Sequence, residues 1–341
     1  MVVALLVLVC MLSACRGVAP EPVDHAEHVP PTHGTVPPPS RSPQDREDPE
    51  PFIAGTFDDA VVGEASGVAA SVRNPGWVYV LDDGPGADGV VAVDTITGRV
   101  VRVVVAGLDG RDTEGLEVAG CTARRRTRPC LFIGDIGNNQ ELWTSVDVWR
   151  IREPRLTGRR RPVTVHGATA TYTYDGAPVN AEALLVAGGR PFLVTKERLD
   201  RSTGRTPAPR LLAARNWGDG VLRDTGAIAL PEPTLGLAAA AVGNVVTGGG
   251  ADDGVVVLRT YDHVVAYTPP SPDAPLETLA DWSAREVPGL PGLPQPEGIS
   301  VDACGLWLVS ERVDSVWLAP WTPASSDEAE EQTCPSGDGR S

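Results

Sequence analysis

Lysine is almost missing from this chain. Lys196 is the single one among 29 basic residues, and the others are arginine. We read that bias as the coding preference of a GC-rich genome. Acidic residues number 45, which leaves a formal net charge of −16. Nucleic acid is therefore not an expected partner, because phosphate recognition needs basic stripes. No Cys-x-x-Cys pair occurs, so a zinc ribbon or thioredoxin-type site is not supported. No glycine-rich nucleotide loop joins a strand to a helix. Gly63-Glu-Ala-Ser-Gly67 is not the Gly-x-Ser-x-Gly nucleophile elbow. Beyond residue 51 histidine is limited to His166 and His263, and nothing puts a serine beside either one, although Asp262 adjoins His263. No segment carries a convincing long helical period.

Long apolar runs are missing too. Fourteen residues precede Cys15, too few to cross a hydrocarbon core of about 30 Å. An apolar run this short, ending in small residues, reads as a secretory signal over residues 1–14. Leu12-Ser13-Ala14-Cys15 resembles the bacterial lipobox. The resemblance implies acylation of Cys15 and anchoring to the outer face of the cytoplasmic membrane. The departure from that pattern is the lack of Lys or Arg before the run. Residues 16–51 hold ten prolines, and with the lipidated Cys15 they read as a semi-rigid tether over 15–51. His25, His28 and His33 are scattered in it. Export agrees with the remaining cysteines, for which three pairings are open. Hairpin spacing favours Cys121–Cys130, which leaves Cys304–Cys334. Arginine clusters at 124–128 and 159–161 read as solvated loop charge.

From residue 52 to 322 short runs of Val, Leu, Ile, Trp and Tyr alternate with Gly, Asp, Asn and Pro turns, the signature of an all-β chain. The runs are organised in a repeat. Glu64-Ala-Ser-Gly-Val68, Glu114-Gly-Leu-Glu-Val118, Glu182-Ala-Leu-Leu-Val186 and Glu297-Gly-Ile-Ser-Val301 share one pattern, and a degenerate unit starts at Thr247. Each is followed by a turn and a second apolar run. The first unit divides into four strands, as a propeller blade does. The expected fold is one β-propeller of five four-stranded antiparallel blades, monomeric, with a sixth blade open around Leu235–Val242. Phe52–Phe57 is left over at the front and is expected to complete the last blade. Residues 323–341 form a polar tail.

Phe132-Ile-Gly-Asp-Ile-Gly-Asn-Asn139, followed by Val148-Trp-Arg-Ile-Arg-Glu-Pro154, resembles a segment of uncharacterised secreted bacterial propellers. The wider pattern is similar to propeller groups that include calcium-dependent lactonases and phytase-like phosphoesterases. Neither group's complete calcium motif is present, so no catalytic residue carries over.

Antiparallel pairing puts the start of each first strand beside the end of the second. Glu64, Glu114, Glu182, Thr247 and Glu297 are thus expected at one channel mouth, flanked by Asp82, Asp135, Lys196, Arg259 and Glu311. Carboxylates this dense require cations or raised pKa values. Ca²⁺ held by Glu114, Glu182 and Glu297 is one solution. The plainer one has each glutamate fasten blade to blade. Asp82-Asp-Gly-Pro-Gly-Ala-Asp-Gly89 is explained by turn chemistry. The expected function is a surface-tethered binder of a small anionic ligand or an envelope protein. The alternatives are a metal-dependent hydrolase and a structural envelope protein.

Overall fold

The computed structural model describes residues 50–58, 61–122, 128–157, 161–231, 244–252, 254–322 and 334–335. The expected signal segment, Cys15, most of the expected tether, most of both arginine clusters and the Leu235–Val242 stretch lie outside the described residues.

The fold is all-β. Its strands, in chain order, are β1 (Phe52–Thr56), β2 (Ala65–Ala70), β3 (Trp77–Asp82), β4 (Gly89–Asp94), β5 (Val100–Val105), β6 (Thr113–Gly120), β7 (Pro129–Asp135), β8 (Ser145–Arg152), β9 (Val163–Val165), β10 (Gly167–Tyr174), β11 (Ala181–Ala187), β12 (Arg190–Thr195), β13 (Arg210–Ala214), β14 (Gly220–Ala227), β15 (Val246–Asp252), β16 (Val255–Thr260), β17 (Val264–Thr268), β18 (Ser283–Glu286), β19 (Pro296–Asp302), β20 (Gly305–Ser310) and β21 (Val313–Ala319). One 3₁₀ turn, Leu276–Asp281, precedes β18.

These strands make four sheets: β2-β3-β4-β5-β9, β15-β16-β17-β18, β19-β20-β21-β1, and an eight-stranded sheet, β6-β7-β8-β10-β14-β13-β12-β11. Five separate sheets were expected. The difference is a junction. β10 and β14 are the outer strands of two successive four-strand groups, and they pair in parallel from Tyr172↔Gly220 to Tyr174↔Leu222. The surplus run at the front does complete the last group, with β1 antiparallel to β21 from Phe52↔Leu318.

The first strand of each group is buried along most of its length. Those strands touch in a closed cycle: β2 with β6, β6 with β11, β11 with β15, β15 with β19, and β19 with β2. Five apolar clusters fill the spaces between consecutive groups. Tyr79, Leu81, Leu116 and Ile133 lie in the cluster shared by the first two groups, and Val78, Val93, Trp307 and Val316 in the one that joins the last to the first. Close packing of the cycle depends on small residues. A Cβ on Gly67 would lie 2.8 Å from Leu116 Cβ, and one on Gly298 would lie 2.9 Å from Gly67 Cα. Both are below any ordinary contact, so side chains there would push the inner strands apart.

Cys121 is bonded to Cys130 and Cys304 to Cys334, with Cα separations of 5.1 and 5.4 Å. The first closes the β6–β7 hairpin. The second pins residue 334 to the β19–β20 turn.

Candidate functional site

Every first strand carries an irregularity at the same place. The register shifts between Ala65 and Gly67, Thr113 and Gly115, Ala181 and Ala183, and Val246 and Gly248, and between Pro296 and Ile299 in the last group. A bulge leaves one residue unpaired and re-aims its side chain. The unpaired residues are Ser66, Glu114, Glu182 and Thr247, with Glu297 at the corresponding place. All five are buried.

This register corrects the first repeat. Glu64 precedes β2 and is exposed, while Ser66 takes the position of Glu114. Ser66 donates from Oγ to the Thr113 carbonyl at 2.8 Å, linking the first two inner strands. Glu64 instead corresponds to Asp112 and Asn180, each one residue before its strand. Glu64-Ala65 matches Glu114-Gly115 only as a local string. The better signal was the small residue after the bulge: Gly67, Gly115, Ala183, Gly248 and Gly298.

The flanking set shifts likewise. The residues paired with the strand starts are Asp82, Asp135, Thr195, Thr260 and Ser310. Asp82 accepts the N–H groups of Gly63 and Glu64, both at 3.0 Å. Asp135 accepts those of Arg111 and Asp112 at 3.0 and 2.9 Å. Both carboxylates thus hold the loop ahead of a bulge. Lys196 and Glu311 lie one residue further on, level with Asp83 and Tyr261. Arg259 lies one residue earlier, buried, donating to the carbonyls of Gly298 and Val309 at 3.2 and 3.0 Å. Burial pulls its pKa down to about 10, against the pull of Glu297. Arg259 fastens the last two groups. Glu311 accepts from Gln295 Nε2 at 2.6 Å.

The structure brings Glu114, Glu182, Glu297 and Lys196 together with two aspartates that sequence reasoning missed, Asp83 and Asp112. Carboxylate oxygens of Asp83, Asp112 and Glu114 all lie within 4.8 Å of one another. An ion about 2.4 Å from each oxygen spans about that separation, so the three can hold one hard cation. Of the three ligands expected from sequence, Glu114 alone belongs to this group. Asp83 sat inside the loop explained by turn chemistry, and Asp112 stands two residues ahead of Glu114.

Burial pushes the Asp83 carboxyl up to about 8, with Asp112 adding to the effect. Burial also raises Glu114 well above its ordinary range, and the charges of Glu182 and Asp83 add to that. Glu182 is raised by burial, but Lys196 opposes the rise. Its Oε1 accepts from Lys196 Nζ at 2.9 Å and from Asn180 Nδ2 at 3.1 Å. Burial pulls Lys196 down, but Glu182, Tyr261 and Glu297 outweigh it and the net shift is upward, so the ammonium stays charged. Glu297, raised by burial to about 8, accepts from the Tyr261 hydroxyl at 3.2 Å. One mouth of the inner cycle therefore holds an acidic group beside a buried ion pair.

Comparisons with known proteins add little. No family model matches the chain, and no curated protein matches it. Among solved structures it is similar to a Thermus thermophilus protein assigned as an oxidoreductase (glucose dehydrogenase), at 10% identity over 79% of this chain and 98% of that one, TM-score 0.42. It is also similar to the major Malassezia sympodialis allergen Mala s 1, at 10% identity over 84% and 99%, TM-score 0.46. A third is Myxococcus xanthus glutaminyl cyclase, at 12% identity over 79% and 93%, TM-score 0.39. Likeness at these scores carries no argument about this chain's activity.

Proposed function

We propose that the chain is an exported, lipid-anchored, five-bladed β-propeller that binds a small anionic ligand at its acidic mouth through a divalent cation. The cyclic order of inner strands, the five inter-group cores and the closing pair β1–β21 support the propeller; the β10–β14 junction fuses its second and third blades. The lipobox-like Leu12–Cys15 and the two disulfides support export to an oxidising compartment.

The observation that carries the binding reading is the Asp83–Asp112–Glu114 group. Three carboxyl groups this close, one buried and two half-buried, do not all ionise readily without a counter-charge. The charged Lys196 beside it is paired with Glu182. A hard cation resolves the conflict, since Ca²⁺ takes six to eight oxygen ligands. The protein offers three carboxylates and leaves the remaining positions to water or to a ligand oxygen. A phosphate or carboxylate bridging that cation and the Lys196 ammonium fits both charges.

Titration calorimetry with Ca²⁺ alone tests the reading. The parent takes up one ion, and Asp112→Asn with Glu114→Gln abolishes uptake while the fold survives. Inorganic phosphate then binds only in the presence of Ca²⁺, and Lys196→Met weakens it. A parent that takes up no divalent ion overturns the proposal.

A further inference from the structure

The segment Asp135-Ile-Gly-Asn-Asn139 ends β7 and opens the following loop. Its side chains do not belong to the acidic group, yet four of its five residues bond to or pack on residues that do, or on their immediate supports. Asp135, a buried carboxylate, accepts the Arg111 and Asp112 N–H groups on Oδ1 and Arg111 Nε on Oδ2 at 3.0 Å. Gly137 donates its N–H to the Asp112 carbonyl at 2.9 Å. Asp112 is therefore held at both backbone polar groups. A Cβ on Gly137 would fall inside the Asp112 carboxylate, 2.8 Å from Oδ1 and nearer still to its other atoms. Gly137 does not have the positive φ that demands glycine. The missing side chain is required by the carboxylate that fills its place.

The two asparagines act on the other half of the site. Asn138 donates its N–H to Asn180 Oδ1 at 2.6 Å, and Asn180 Nδ2 donates to Asn139 Oδ1 at 3.1 Å. The same Nδ2 donates to Glu182 Oε1 at 3.1 Å, the oxygen that also receives Lys196 Nζ. The Lys196 N–H donates to the Asn180 carbonyl at 3.0 Å. Asn180 is thus a hub between the loop and the ion pair. Asn138 shapes the loop with its own side chain, accepting from the Leu142 and Trp143 N–H groups and donating to the Trp143 carbonyl, with a longer donation to the Val179 carbonyl at 3.4 Å.

We infer that Asp135–Asn139 is a positioning clamp for the whole mouth: Asp135 and Gly137 set the Asp112 carboxylate, and Asn138 and Asn139 set Glu182 and Lys196 through Asn180. The inference rests on the cation-site reading for its Asp112 half only. Outer supports of this kind typically change metal affinity by about 10–100-fold when removed.

The test uses the full chain and two readouts. The first is Ca²⁺ affinity by calorimetry. The second is the rate at which acetic anhydride modifies Lys196, the sole lysine, followed by peptide mass spectrometry. Gly137→Ala weakens Ca²⁺ at least about tenfold and leaves the Lys196 rate near that of the parent. Asn139 is exposed, so its substitution spares the core. Asn139→Ala speeds Lys196 modification severalfold, and Asn139→Asp, which keeps the acceptor oxygen, restores the parent rate. A parent that binds no Ca²⁺ refutes the cation site and leaves the clamp to the lysine readout. A Lys196 rate unchanged by Asn139→Ala, or changed equally by Asn139→Asp, overturns the Glu182 half. Parent-like Ca²⁺ affinity in Gly137→Ala overturns the Asp112 half.

Discussion

Removing Glu182 is the sharpest single perturbation of the mouth. Its side chain is 1% exposed and that of Lys196 19%, with oxygen and nitrogen 2.9 Å apart. Deleting one partner of a buried pair costs about 3–5 kcal/mol. Two features reduce that here. Lys196 keeps some contact with solvent, and Glu297, held neutral up to about pH 8, ionises more readily once the Glu182 charge is gone. We expect Glu182→Gln to cost about 2–3 kcal/mol at pH 7, at or just below the lower end of that range. In thermal unfolding of a folded region this large, that is about 4–5 °C. Lys196→Met costs a similar amount at pH 7 and less as the pH falls, because burial already raises Glu182 and its protonation relieves the unpaired charge. The double variant stays within about 1 kcal/mol of the parent, because neither charge is left alone. Denaturant unfolding of all four proteins in chelator yields the coupling energy. A coupling below about 0.5 kcal/mol, the scatter of independent sites, refutes the reasoning.

Three further outcomes are expected. Asp83 and Glu297 both have folded pKa values raised to about 8, so between their ordinary acidic range and pH 8 the folded state binds more protons than the unfolded state. In chelator, their contribution to stability is then full below about pH 4 and is lost as pH rises toward about 8; Ca²⁺ flattens that slope, and a stability that rises between about pH 5 and 8 in chelator contradicts the buried-carboxyl account. Truncation to Val61 removes β1 and buried Phe57, a loss of about 1.5–3 kcal/mol for that side chain alone, and bares the edge of β21; parent-like melting of the truncated chain speaks against closure by β1. Cys15→Ala releases the protein from the membrane fraction or blocks its maturation, whereas unchanged retention of a processed chain removes the case for a lipid anchor.

Much of this architecture is written locally, and the rest is not. Repeating apolar runs and turns disclose the strands, and the unpaired run Phe52–Phe57 discloses the closure, because a missing edge and a spare strand are both visible in one dimension. The β10–β14 junction has no such signature: it joins the outer edges of two groups, and their residues carry no mark of a parallel partner. At the mouth, Glu114, Glu182 and Glu297 were legible as a recurring register. Glu64 was misplaced because Glu-Ala matched Glu-Gly, although what the inner strands share is the space after the bulge. Asp83 and Asp112 were not legible, since one follows β3, the other precedes β6, and only the packing of β2 against β6 brings them together. Asp135 to Asn139 stood out as a motif, but its purpose depends on Asp112 and Asn180, which lie 23 and 45 residues from its first member.

The most direct test of the central claim is a crystal structure of the protein grown with Tb³⁺ in place of Ca²⁺. One anomalous peak is expected, bonded to oxygens of Asp83, Asp112 and Glu114 at about 2.3–2.6 Å as for calcium sites, with the Glu182–Lys196 pair intact beside it. An ion bound elsewhere, with these three carboxyl groups hydrogen-bonded only to one another, contradicts it.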